Sequence, residues 1–383
     1  MGKSLNNLEK SQETDNILSR AEKLREKSLY RQSLTLFRQA LKKLAKMKDP
    51  EGMYHCVLAS GDLHRMMGDF DLTATSYLSA IAIARESKSL IKVADAKVGL
   101  GLSQRAQGKW KEAIKLIGES KRIYKKQNDT HGIAFTSWAE AGALRIKGDI
   151  AGALKGFRES RKIFKSMKDS QGIGYCLCGI GGASRMAGRF RDSLKYYTAA
   201  NGLFIAEGDR FGKAYSYCGI GNAYRMLGDY KNAFVHFAKA TGLYKKMGDK
   251  VSYAYTLWGL GTTYKMTCFH KKARDYFTKA MSLFKETKDP RGIIYCKLGF
   301  GEISLLEGKR ATANKYFSEA LKGSAENSFA LERCHAETLI SFVGNTSCGY
   351  NAGRNKSSGK MKGKCYDRLG LKLAFQKLPL NIP

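Results

Sequence analysis

The sequence predicts an all-α solenoid of about eight stacked helical hairpins, and three observations carry that expectation. A glycine returns at Gly68, Gly108, Gly148, Gly188, Gly228 and Gly308, with Cys268 in the one remaining slot of a strict 40-residue period. Self-similarity at a fixed period of this length marks stacked repeats, where each unit buries its apolar face only against its neighbours. Apolar residues recur at helical spacing on both sides of the glycine. Ile220, Tyr224 and Leu227 fall on one helix face, and Ala233, Phe237, Ala240 and Leu243 on another. The four prolines stand only at Pro50, Pro290, Pro379 and Pro383, so the body of the chain is free to be helical.

Taken in order, residues 1–12 form an N-terminal lead. Eight units follow at 13–52, 53–92, 93–132, 133–172, 173–212, 213–252, 253–292 and 293–332. In each, the glycine slot ends a first helix and starts the turn into a second. Most units close on an aspartate: Asp49, Asp129, Asp169, Asp209, Asp249 and Asp289. An aspartate ahead of an apolar-periodic stretch is an N-cap, its carboxylate accepting from free amides of the first turn. Pro50 and Pro290 directly follow two of these caps, at the helical position where proline is best tolerated. Residues 333–343 predict a ninth first helix that caps the last apolar face. Residues 344–364, rich in Gly, Ser, Asn and Lys, read as a flexible basic linker. Residues 365–383 regain apolar character at Leu369, Leu371, Leu373, Phe375 and Leu378. This last segment is too short to fold alone; it is expected to dock on the solenoid end, with presentation to a partner as the alternative.

Lys and Arg number 67 against 34 Asp and Glu, a formal charge of +33, which favours encounters with nucleic acid, acidic protein or anionic membrane. Nine cysteines without paired spacing read as small buried residues of a reducing compartment. No apolar run approaches the length of a membrane span, and the N-terminus lacks the apolar core of a signal peptide. The expectation is a cytoplasmic protein.

The order Ile220, Gly221, Tyr224, Gly228, Tyr230, Ala233, Phe237, Ala240 resembles the tetratricopeptide repeat (TPR). Other units are degenerate copies, as with Leu260, Gly261, Tyr264, Ala273, Phe277 and Ala280. The 40-residue unit with its Asp-x-x-Gly link is most similar to repeats of the LGN/Pins spindle-orientation adaptors and related bacterial arrays. In those adaptors an arginine after the link glycine grips acidic peptides. Here that position carries Met53, Val93, Ile133, Ile173, Tyr253 and Ile293, with only Lys213 basic. The resemblance implies a right-handed α-solenoid, a protein-protein interaction scaffold or adaptor, and a ligand different from theirs.

The resemblance also implies that first helices line a concave groove. Three residues before each turn slot stands a cation, at Arg25, Arg65, Arg105, Arg145, Arg185, Arg225 and Lys265. Two readings are open. Cations at a helix C-terminus complement the macrodipole by roughly 0.3 to 1 kcal/mol. Alternatively, the row from Arg65 to Lys265 is the charged wall of a ligand groove. A second series, Phe135, Tyr175, Tyr215, Tyr255 and Tyr295, runs with Trp138 and Trp258. Each aromatic alone reads as core, but together beside the cations they describe an apolar margin suited to an acidic, partly apolar segment of another protein. Gly-x-Gly pairs such as Gly179 and Gly181 lie within helices, where close packing explains them; Gly179 and its equivalents would also leave room for a ligand backbone.

No catalytic signature is present in the sequence: the six histidines show no His-x-x-x-His pairing, and there is no Cys-x-x-Cys. The expectation is a non-enzyme without metal or cofactor. The competing classes are a basic RNA-binding protein, acting through lysine-rich ends of the second helices, and a structural subunit of a larger complex.

Overall fold

The computed structural model describes residues 2–345, 364–371, 373 and 377–383. These residues hold helices and no strand. Of the expected linker 344–364, residues 346–363 lie outside the described residues, as does Phe375, whereas 344–345 end one helix and 364 begins another. The first helices of the hairpins are α1 (Gly2–Glu26), α3 (Pro50–Met67), α5 (Leu90–Ala106), α7 (Thr130–Lys147), α9 (Ser170–Met186), α11 (Arg210–Leu227), α13 (Lys250–Met266) and α15 (Pro290–Leu306). The second helices are α2 (Tyr30–Met47), α4 (Phe70–Glu86), α6 (Trp110–Lys126), α8 (Ile150–Ser166), α10 (Phe190–Ala206), α12 (Tyr230–Met247), α14 (His270–Glu286) and α16 (Arg310–Glu326). The array closes with α17 (Ala330–Asn345) and the short α18 (Lys364–Arg368).

The period dictates the helix ends. Asp49, Asp129, Asp169, Asp209, Asp249 and Asp289 each accept from a backbone amide of the first turn, and Ser89 does so where an aspartate is missing. Pro50 and Pro290 open α3 and α15. The turn slots are left-handed throughout, and Cys268, the residue that replaces glycine, adopts φ 64° as well.

The second helices supply the packing rungs. Phe37, Tyr77, Ile117, Phe157, Tyr197, Phe237, Phe277 and Phe317 recur every 40 residues and are all buried. Burying such a side chain is worth about 1.5–3 kcal/mol. The Gly-x-Gly pairs exist to admit these rings. A Cβ on Gly219 would stand 2.1 Å from Tyr197 Cε1, and one on Gly181 2.8 Å from Tyr197 Cδ2, so the ring is clamped between two glycines of adjacent repeats. The Gly179 position holds no space for a ligand backbone, because Phe157 fills it at 2.5 Å. Gly219→Ala is therefore expected to cost about 1–3 kcal/mol, the range for overpacking, since the Tyr197 ring must shift to admit the methyl. An unchanged thermal midpoint would show that the ring can move.

The solenoid coils tightly enough to touch itself. Lys250 Nζ lies 3.1 Å from Asp69 Oδ1, and Lys288 Nζ lies 2.7 Å from Asp71 Oδ2. Arg210 Nη1 donates to the Lys27 carbonyl at 2.8 Å, 183 residues away. Buried Ala21, Leu34 and Phe37 share one apolar cluster with Ala214, Ala240, Tyr244 and Met247. These separations are close to five 40-residue periods, so one superhelical turn takes about five repeats and successive turns stack. The concave groove implied by the resemblance is thereby closed into a lumen. A small rotation per repeat, summed over the array, sets this closure, and no single repeat records it.

Candidate functional site

The cation row faces this lumen from the last turns of the first helices, but its members differ in what they meet. Arg65 bonds Asp62 at 3.2 Å and the Tyr77 hydroxyl at 3.2 Å. Lys265 and Glu302 form a buried ion pair; burial pushes the lysine down and the carboxyl up, each opposed by the other. Arg225 is wholly buried and donates to Asn222 Oδ1 at 3.1 Å.

Arg105, Arg145 and Arg185 form no ion pair with any described carboxylate. The reason lies 37 residues further along the chain, on the adjacent first helix. Lys265 meets Glu302 there, whereas Arg105 and Arg145 reach over Gly142 and Gly182, where a Cβ would stand 2.3 Å from their Nη1 atoms. Arg105 rests 5.0 Å above the Trp138 ring, and burial together with Arg145 holds its pKa down to about 10. Arg185 buries Nε and Nη1 with no hydrogen-bond partner. Three guanidiniums, one per repeat, thus converge with no described carboxylate in ion-pair range, and Asp289, the N-cap of α15, is the carboxylate that borders the same cavity.

They line a cavity of about 240 Å³ together with Tyr197, Tyr215, Tyr255, Trp258, Tyr295 and Arg291. Of the apolar set expected from sequence, Tyr215, Tyr255, Trp258 and Tyr295 line it, and Phe135, Trp138 and Tyr175 do not. Those three act in the packing between repeats. Trp138 stacks on Phe135 and donates Nε1 to the Tyr175 carbonyl at 3.3 Å, while the Tyr175 hydroxyl donates to Asp209 at 2.8 Å. Arg225 and Lys265 are likewise not part of the open cavity, because another part of the chain covers them.

That covering segment is the C-terminal one. Leu380 and Ile382 are buried in the same apolar cluster as Trp258, Leu298 and Phe277. Lys265 Nζ donates to the Leu380 carbonyl at 2.8 Å, and the Leu380 amide donates to the Glu302 carboxylate. Arg225 Nη2 donates to the Ile382 carbonyl at 2.9 Å, and its Nη1 donates to Asn381 Oδ1. Asn381 Nδ2 returns a bond to the Arg225 carbonyl at 2.7 Å. Docking on the solenoid end describes only the preceding part, where Tyr366 of α18 packs on His335 of α17. Residues 380–383 enter the lumen instead, because it offers charged partners for their main chain and an apolar wall for Leu380 and Ile382.

No family model matches this sequence, and no curated protein matches it. Solved structures match it in shape. A Rap protein complexed with competence and sporulation factor aligns at a TM-score of 0.58 and 13% identity, over 87% of this chain and 98% of its own. The Rap conjugation gene regulator of plasmid pLS20 in complex with the Phr* peptide aligns at 0.56 and 13%, over 82% and 95%. The Cut9-Hcn1 hetero-tetramer of the APC/C aligns at 0.59 and 17%, over 89% of this chain and 57% of the matched chain. The fold is that of a tetratricopeptide-repeat solenoid.

Within this TPR solenoid, two features of the site escaped the sequence. Arg291 lines the cavity and bonds Glu332 at 2.5 Å and the Tyr295 hydroxyl at 3.2 Å. Its positional equivalents are Glu51, Ile91, His131, Gln171, Phe211 and Val251, so no repeating column announces it. The other feature is a disulfide between Cys334 and Cys365, which joins α17 to α18 and runs against the expectation of unpaired cysteines. Their separation of 31 residues gives no spacing signal. Cys56, Cys176, Cys178 and Cys296 are free and buried as expected, whereas Cys218 is half-buried and Cys268, in its turn slot, is exposed. No helix among the described residues is long and apolar enough to cross a membrane.

Proposed function

We propose that this protein is a non-enzymatic adaptor that holds an acidic, partly apolar segment of another protein inside its lumen. The observation that carries the reading is the unpaired trio Arg105, Arg145 and Arg185 beside the aromatic wall of Tyr215, Tyr255 and Trp258. Half-buried cations without an ion-pair partner are disfavoured, and a ligand carboxylate that pairs with them relieves that cost. The aromatic wall gives such a ligand apolar contact. Two of the structural neighbours described above hold a factor or a peptide, which supports the same use of the shared shape. Burial pushes the thiols of Cys56 and Cys176 up to about 12 and about 11, which keeps these two protonated at neutral pH.

The test is fluorescence anisotropy with a labelled peptide of alternating glutamate and phenylalanine. Arg145→Glu combined with Arg185→Glu is expected to weaken binding by about 30-fold or more, since like charges would then face each other in a desolvated site. Far-UV circular dichroism should be unchanged. Equal affinity in the two proteins sinks the proposal. Equal affinity of the two proteins for a labelled RNA, falling steeply with salt, would shift the reading to nucleic-acid binding by the outer lysines.

A further inference from the structure

The segment Leu378–Pro383 shows how the lumen handles an extended peptide. Its bonds from Lys265, to Glu302 and from Arg225 Nη2 go to main-chain groups at Leu380 and Ile382. They would form with many sequences. Selectivity comes from the two apolar side chains, spaced by one residue as in an extended strand, and from Asn381, gripped on both its oxygen and its nitrogen by Arg225. The direction is also defined. Leu380 lies against α13 and α15, Asn381 and Ile382 against α11, and Pro383 borders the cavity lined by Arg185 of α9 and Arg145 of α7. The segment therefore runs opposite to the order of the repeats. A ligand continuing in the same direction past the proline position would lay its next residues over the three free guanidiniums.

From this geometry we infer that Leu378–Pro383 is a tethered competitor for the ligand lumen. The external ligand is a peptide segment in the same register: two apolar residues flanking one amide side chain, then carboxylates that reach Arg185, Arg145 and Arg105. The inference rests on the lumen-binding reading above and adds the ligand's register, its direction and its regulation. The ligand site is half occupied by the chain's own residues, and the unpaired half is what an external segment offers in addition. Binding is then an exchange, and the apparent affinity is reduced by the fraction of molecules whose lumen is filled.

The probe is the labelled nonapeptide Leu-Pro-Leu-Asn-Ile-Pro-Glu-Glu-Glu, titrated into the full chain and two variants. Ile382→Lys places a cation against the cationic lumen, and Asn381→Ala deletes the amide grip while keeping the apolar contacts. Expected are affinities at least about tenfold tighter for Ile382→Lys and a smaller gain for Asn381→Ala, with the unlabelled hexapeptide Leu-Pro-Leu-Asn-Ile-Pro competing in both. Circular dichroism reports folding, and Asn381→Ala carries the test if Ile382→Lys does not fold. Equal affinity for wild type and both variants overturns the tethered competitor. Equal binding of the reversed probe, with the glutamates first, overturns the direction. Binding of hexapeptide and nonapeptide with equal affinity to the variants supports the competitor but overturns the acidic-ligand reading, so the two failures are distinguishable.

Discussion

Lys265→Ala is expected to destabilise the protein by about 3–5 kcal/mol, the range for breaking a buried ion pair by removing one partner. Lys265 and Glu302 are both buried, and alanine leaves the Glu302 carboxylate with only the Leu380 amide for company. It also removes the donor to the Leu380 carbonyl, so the C-terminal segment loosens together with α13 and α15. A paired replacement, Lys265→Met with Glu302→Leu, is expected to recover most of the loss, because two charges then need no compensation. Urea denaturation of wild type, single and double variants gives the comparison. A single variant within about 1 kcal/mol of wild type would show that water reaches Glu302 and that the pair is not buried in solution.

The second large effect is a dependence on pH centred on His335. Burial holds its pKa down to about 4, against 6.5 in the unfolded chain, with Glu332 partly opposing. Between those values the unfolded chain binds a proton that the folded chain does not, so stability rises with pH. The contribution is fully present above pH 6.5 and is lost as pH falls to 4, amounting to about 3 kcal/mol. His335 Nδ1 meets the Tyr366 hydroxyl at 2.8 Å, so the loss falls on the seam between α17 and α18. His335→Gln cannot titrate and should flatten that slope. The difference between the two proteins is the measurement, because buried carboxyls such as Asp249, raised to about 6, titrate with the opposite sign in both and cancel. Parallel melting curves at pH 7 and pH 4.5 for wild type and variant would contradict this assignment.

Local chemistry was the legible part of this molecule. An aspartate before an apolar stretch, a proline one residue later and a glycine 18 residues after that fix where α3 begins and ends, and the structure ends it there. The cation row was legible as a row. Its division into paired and free members was not, because what decides it is the column Asp62, Leu102, Gly142, Gly182, Asn222, Thr262 and Glu302. That column varies, and its meaning appears only once a side chain is known to meet the residue 37 positions ahead of it. The aromatic residues divided for a similar reason: the Trp138 indole is turned to the Tyr175 carbonyl and lies under Arg105, an orientation that periodicity does not encode. The entry of residues 380–383 into the lumen depends on contacts such as Arg225 to Asn381, 156 residues apart, and on a coil closure that accumulates over the whole array.

The stacking of one superhelical turn on the next changes what kind of object this chain is. A repeat array whose units touch only their sequence neighbours behaves as a one-dimensional system that can fray from either end. Here the links from Asp69 to Lys250 and from Lys27 to Arg210 tie the early hairpins to the late ones, like rungs joining the coils of a spring. Loss of the first hairpin strips a wall from the sixth as well as the second, since Phe37 shares its cluster with Tyr244. The early hairpins are therefore held by the late ones, and the array is expected to unfold more like a globular domain than like a string of modules.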